Sequence, residues 1–255
     1  MAYNSGRMKT RKMKLFLTTI LFATTISVFG QTTFNYQTDF KNILAKTKDK
    51  NDSLSYEKLL PRFSANDTTL TDYEVLALLI GFTDKPDYKP YDDISTEREI
   101  YDLNDKNKYK EGLELGQKFL KTHPLSVKTL YEIAYSFHKL NQEDKTKYYV
   151  YQGQKIWKAM YFSGKGFTPE TPTFALGPAD GQDYIKKFLG AGIGTMGSGR
   201  DKNNNFLDIL EAKLEEKSIT LYFIIQHATN KMFGGKSFEE EMKEQDKKKK
   251  KTDNE

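Results

Sequence analysis

The residues able to do chemistry are few in this 255-residue chain. It has three histidines and no cysteine, which excludes a disulfide framework, a thiolate metal site and a cysteine nucleophile. His123, His138 and His227 read as lying in a turn, on a helix and at a strand end. They have no metal-ligand spacing, so satisfied structural histidines are expected. Gly192, Gly194 and Gly197 spell the GxGxxG dinucleotide fingerprint. That motif needs a strand before it, a helix after it and an acid about 20 residues on, whereas YIKKFLG precedes it and the polar DKNNN follows. A phosphate-cradling loop also fails: Gly194 and Gly199 are suitably separated, but Arg200 and Asp201 stand where lysine and a hydroxyl are required. The second candidate, GGKS, has Asn230 five residues before Gly235 where a glycine is needed. Ser198 between glycines suggests a nucleophile elbow, yet GxSxG requires glycines where Met196 and Arg200 stand.

Asp201, Asn203, Asn205 and Asp208 place oxygen ligands near alternate positions, as calcium loops begin. Phe206 replaces the turn glycine, and Ala212 holds the place of the closing acid, with Glu211 one residue early. The favoured reading is a polar turn whose asparagines tolerate left-handed geometry. The sequence therefore assigns no catalytic, cofactor-binding or metal-binding residue.

The elements that would position any site are mostly helical. Tyr36, Phe40, Ile43 and Leu44 line one helix face, and Tyr56, Leu59, Leu60 and Phe63 line another. Thr71 with Glu74 makes a capping box before Val75, Leu76, Leu79 and Ile80, and Thr96 with Glu99 offers a second leading into Ile100 and Leu103. Between Tyr109 and Tyr161 the apolar and small residues repeat with a fixed offset. Tyr109, Gly112, Gly116 and Phe119 share a face, Pro124 stops the helix, and Leu130, Ile133, Ala134, Phe137 and Leu140 form the next stripe. A third stripe runs through Tyr148, Val150, Tyr151, Ile156 and Trp157. After Tyr161, glycine and proline crowd into SGKGFTPETPTFALGPADGQ and helical periodicity ends. Phe206 to Ala212 and Ile219 to Gln226 then read as strands able to pair as a hairpin.

Composition places these elements outside the cytoplasm. Residues 1–30 carry Arg7, Lys9, Arg11, Lys12 and Lys14 without an acid, then an apolar run from Leu15 to Phe29 and small residues before Gln31. This is the order of a signal peptide, and the run is too short and threonine-rich for a span. Removing it leaves 35 basic against 35 acidic residues, so nucleic acid is not an expected partner. Residues 236–255 hold seven basic and seven acidic residues, and they read as a charged, disordered tail whose one helix start is Ser237 with Glu240.

Tyr109, Gly112, Phe119, Pro124, Leu130, Ala134 and Phe137 resemble the tetratricopeptide repeat over about one and a half repeats. On the next pass Glu143 and Thr146 replace the aromatic and alanine of the pattern. The resemblance implies a concave surface for a protein or peptide. The exported start, the turn SGKGFTPET and the segments GRDKNNNFLDILE and LYFIIQHATNKMFGG are similar to an exported bacterial family, domain of unknown function 4919, from about Phe34 to Gly235. That resemblance implies a compact α+β domain and no catalytic residue. The expected architecture is α+β: residues 1–30 a signal peptide and 31–235 one domain, with helices over 34–161 and a glycine-rich part ending in a small antiparallel sheet over 162–235. Without a cofactor, the expected product is periplasmic or secreted, with no span after cleavage. A non-enzymatic binding or structural protein is favoured over an envelope hydrolase with an unrecognised acid–base site. Carboxylates or His227 converging in a deep pocket would reverse that order.

Overall fold

Seven stretches with helical apolar spacing become seven successive helices: α1 (Tyr36–Lys48), α2 (Tyr56–Ser64), α3 (Asp72–Phe82), α4 (Asp93–Asp105), α5 (Tyr109–Leu120), α6 (Val127–Lys139) and α7 (Glu143–Ser163). The computed structural model describes residues 34–234; the expected signal segment and charged tail lie outside the described residues. Local chemistry sets the ends. Asn35 Oδ1 accepts from the amides of Gln37 and Thr38 at the start of α1, and Thr71 and Glu74 form the reciprocal capping box of α3. Ser126 Oγ accepts from Thr129 N at 3.2 Å to start α6. Asn66, Asn107 and Asn141 stop α2, α4 and α6 in the left-handed region, with φ of 56°, 60° and 56°. The second expected capping box does not form, because α4 begins at Asp93 and leaves Thr96 and Glu99 inside the helix.

α3 is buried without interruption from Val75 to Phe82, as a helix apolar all round must be. α5 lies close on α6, since a Cβ at Gly116 would come within 2.8 Å of Ile133 Cγ1. On α7 the buried face runs through Gln152, Ile156, Trp157 and Met160, whereas Tyr148, expected in the apolar stripe, is 38% exposed.

Beyond α7 come β1 (Thr173–Phe174), α8 (Asp180–Asp183) with a π-helical turn over Tyr184–Phe188, β2 (Gly192–Arg200), β3 (Phe206–Lys213), β4 (Ser218–Ile224) and α9 (Gln226–Met232). The α+β class holds, but the sheet is larger and mixed, in the order β1-β4-β3-β2. β2, β3 and β4 are antiparallel, while β1 adds parallel to β4 with Thr173 opposite Phe223. The sequence reading missed β2 because its glycines hide any alternation, and it ran β4 into Gln226, which starts α9. Leu78, Ile80, Trp157, Phe174, Leu207, Phe223 and Ala228 belong to a single buried cluster, so helices and sheet share a core. Trp157 is 1% exposed. Its ring stacks on Tyr131 of α6 and meets Tyr184 edge-on, and Tyr184 in turn meets Phe223 of β4. The π-helical turn, rather than the strands directly, therefore covers the outer face of α7.

Candidate functional site

Three segments that are distant in sequence meet where the loop before α4, the turn between α5 and α6, and the chain entering α8 come together. α4 contributes Asp93 and Glu97, four residues apart and so on one helix face. The α5–α6 turn contributes His123 and Ser126, and the α8 start contributes Asp180. All five line one cavity, whose apolar wall includes Phe82, Tyr88 and Phe119. Its volume is about 30 Å3, room for about two waters or one small functional group.

His123 is fixed on every side. Its ring stacks on Phe119 with centroids 4.1 Å apart, and Nε2 lies 2.8 Å from the Asp87 carbonyl and 3.1 Å from Asp93 Oδ1. Two acceptors at Nε2 require a proton there. Nδ1 is 2.8 Å from Thr122 Oγ1. Burial works to lower the His123 pKa, but the bond and charge of Asp93, with the Asp87 and Phe119 carbonyls, outweigh it and raise the pKa above 6.5.

The two other carboxyls are held differently. Ser126 Oγ donates to Glu97 Oε1 at 2.6 Å; burial nevertheless raises the Glu97 pKa against the lowering effects of that bond and of Lys128. Asp180 Oδ2 accepts from Gly177 N at 2.9 Å. Its carboxyl lies deep, although the residue as a whole keeps some exposure. Burial, then the facing charge of Glu97, pushes its pKa up to about 8, so Asp180 carries a proton at neutral pH. Tyr88 closes the cavity floor, its hydroxyl donating to the Leu176 carbonyl at 2.5 Å. The arrangement can donate a proton from Asp180, accept one at Glu97, and place the His123 ring, whose protonated form Asp93 favours, beside developing negative charge.

Residues singled out in the sequence fall elsewhere, apart from His123. His227 sits in α9, not at a strand end, within a box of Tyr36, Phe40, Tyr88 and Phe174 rings; Phe174 stacks on it at 4.5 Å. Its nitrogens face the backbone of Ala175 and Leu176 without a well-formed hydrogen bond, and burial lowers its pKa to about 3. The expectation of a satisfied histidine fails there. His138 is a surface residue bonded to Glu143 at 2.7 Å.

Asp201, Asn203 and Asn205 do close on one another, but in the β2–β3 turn. Asp201 Oδ1 accepts from the amides of Asn203 and Asn205, and Asp201 Oδ2 accepts from the Asn205 side chain, each at 2.8 Å. Asn204 takes the left-handed conformation at φ 65°. Asp208 lies apart, in β3 opposite Ser198, with burial raising its pKa to about 6. Among the described residues no group of three or more His, Asp or Glu side chains is arranged to hold a metal ion. The GxGxxG glycines lie within β2 itself, with a bulge between Ile193 and Met196 where Glu211 accepts from Thr195 N at 2.8 Å. A strand running on into the β2–β3 turn offers phosphate neither the tight strand-to-helix turn nor the helix N-terminus that the fingerprint needs.

The sequence reading missed Asp93, Glu97 and Asp180. The available signal was the four-residue spacing of Asp93 and Glu97 on a helix otherwise bearing Ile100 and Asn104 on its buried face. Among the described residues, no helix is long and apolar enough to cross a membrane. A family model described as a domain of unknown function, DUF4919, matches residues 41–233. No curated protein and no solved structure matches the chain.

Proposed function

Since the chain belongs to the DUF4919 family, whose description assigns no activity, we propose from the cavity that it is an exported hydrolase with Asp180 as acid and Glu97 as base. One observation carries the reading: Glu97, Asp180 and the His123–Asp93 pair converge in a single cavity from three segments. This is the arrangement that ranks an acid–base enzyme above a passive scaffold. Export rests on the basic, apolar and small-residue order of residues 1–30.

Glu97 takes a proton from a water in the cavity as its oxygen attacks, and Asp180 gives its proton to the leaving group. R–X and water thus become R–OH and HX. The hydroxyl of Ser126 fixes Glu97, and the His123 imidazolium, oriented by Asp93, stabilises the charge formed on the attacked group. The cavity holds the attacking water, and the scissile bond and the rest of the substrate lie at its mouth. The test is turnover of chromogenic esters, glycosides and phosphodiesters between pH 5 and 9 by the wild type, Asp180→Asn and Glu97→Gln. Turnover that both substitutions abolish supports the assignment. Wild-type inactivity on all three classes, or activity that both variants retain, would remove it.

A second reading keeps the non-enzymatic role. A groove of about 980 Å3 runs between α5 and the start of α7, lined by Lys110, Lys118 and Lys121 against the single acid Glu114, with Leu113 and Tyr149 at its floor. Its charge suits an acidic peptide. Binding of a fluorescent polyglutamate peptide that Lys118→Glu with Lys121→Glu abolishes would favour it; no binding by the wild type would dismiss it.

A further inference from the structure

On the far side of the His227 aromatic box, α1, the β2–β3 turn and α9 enclose a cleft of about 350 Å3, within the range of about 300–1,000 Å3 typical of ligand pockets. Its wall is unusual in composition. Tyr36 and Phe40 stack at 4.7 Å along one side, and six carboxamides supply almost all of its polar groups, with Lys41 the one charged lining residue. We propose that this cleft binds a neutral, polyhydroxylated ring, a single sugar residue, with its apolar face on Tyr36 and Phe40 and its hydroxyls on the amides.

The chemistry that recognises such a ligand is on the cleft wall. A carboxamide presents a donor and an acceptor in one plane, and a hydroxyl both donates and accepts, so adjacent hydroxyls pair with amides without a charge to desolvate. Part of the amide set is already used to build the wall. Gln226 Oε1 accepts from Phe206 N at 2.6 Å, Gln226 Nε2 donates to Asn230 Oδ1 at 2.6 Å, and Asn205 Nδ2 donates to Asp201 at 2.8 Å. These bonds hold the amide planes in place. Left without a partner among the described residues are Gln37 Nε2, the side-chain amides of Asn203 and Asn204, and Asn230 Nδ2, all on exposed residues lining the cleft. The Asp201 carboxylate is engaged by the amides of the turn and does not line the cleft. A nucleotide would require cations for its phosphates, and one lysine falls short of that. Tyr36 and Phe40, held rigid by stacking on each other, line the cleft and supply the apolar contact that a C–H-rich ring face uses.

This site is separate from the acid–base cavity and does not depend on its activity. The test is titration of the full chain with glucose, galactose, mannose and N-acetylglucosamine, following the side-chain amide NMR signals of Asn203, Asn204 and Asn230. At least one sugar should shift them saturably. Asn203→Ala combined with Asn230→Ala, both exposed positions, should weaken that binding about tenfold, the loss of two neutral hydrogen bonds, while Asp180→Asn leaves it unchanged. Circular dichroism identical to the wild type would show that the double variant is folded. The proposal is overturned by no saturable shift with any of the four sugars, by binding that the double variant retains in full, or by shifts confined to residues around His123.

Discussion

Among the described residues, two neighbouring sites with buried acidic side chains differ in one respect: only one of them is neutralised. Glu132 on α6 faces the Lys187 ammonium at 3.1 Å and accepts from Asn104 Nδ2 at 3.1 Å, while Asn104 Oδ1 takes the Ser136 hydroxyl at 2.7 Å. That network is complete, with a cation and matching donors for the acid. In the cavity, Glu97 and Asp180 face each other with hydrogen-bond donors but no paired cation. Both sites are supplied by one segment, since α8 delivers Asp180 and the π-helical turn after it delivers Lys187. A buried carboxylate with a partner is architecture; one left to hold its proton is a reactive group whose burial costs stability.

The largest effect expected from this contrast is on Asp180. Its pKa is raised from 3.8 to about 8, so the unfolded chain releases the proton near pH 4 while the folded chain keeps it. The contribution of Asp180 to stability is fully present below pH 4 and is lost as pH rises toward 8, by up to about 1.4 kcal/mol per pH unit. Asp180→Asn removes this dependence. The variant should be more stable than the wild type at pH 8, on the order of several kcal/mol, and close to it at pH 4, as read from urea midpoints. Equal midpoints at pH 8 would mean that the two buried acids do not differ as described.

Next comes the anchor common to both. Trp157 packs against Tyr184 and Phe188 of the π-helical turn, and so holds the segment that places Asp180 and Lys187. Trp157→Ala should cost about 3 to 5 kcal/mol, while the wild type melts in one transition. Two separate wild-type transitions would break the link between the regions. Removing the cation from the complete network should cost less. Lys187→Met strands Glu132, but the lysine side chain is 28% exposed, so solvent enters and the loss should be about 2 kcal/mol. A neutral result would make the Lys187–Glu132 pair decorative and weaken the contrast with the cavity.

Much of the scaffold was legible in the sequence and almost none of the cavity. Periodicity locates α1 to α3, Pro124 locates the break before α6, and Thr71 with Glu74 locates the start of α3, because each of these signals acts within about one helical turn. β2 escaped since GIGTMGSGR has neither alternation nor β-branched bulk beyond Ile193 and Thr195. The asparagine turn was read correctly because Asp201 and its amides are sequence neighbours. Asp93 and His123 are 3.1 Å apart in space and two helices apart in sequence, and Asp180 arrives from beyond α7. No local rule pairs residues that only tertiary packing brings together.

The smallest effect distinguishes the two ends of the cavity. His123 has its pKa raised above 6.5, chiefly by Asp93 once the opposing effect of burial is overcome. A raised histidine pKa contributes stability that is fully present below pH 6.5 and lost as pH rises through the folded value. The wild type alone cannot reveal this, because the Asp180 effect falls in the same direction over an overlapping range. In an Asp180→Asn background the overlap is gone. His123→Gln should then lower stability by less than about 1 kcal/mol at pH 5.5, as a partly solvated ion pair does, and by less still at pH 9, where less of the imidazole is charged. A loss as large at pH 9 as at pH 5.5 would show that His123 matters through stacking on Phe119 and not through its charge on Asp93, and the cavity would lose its imidazolium.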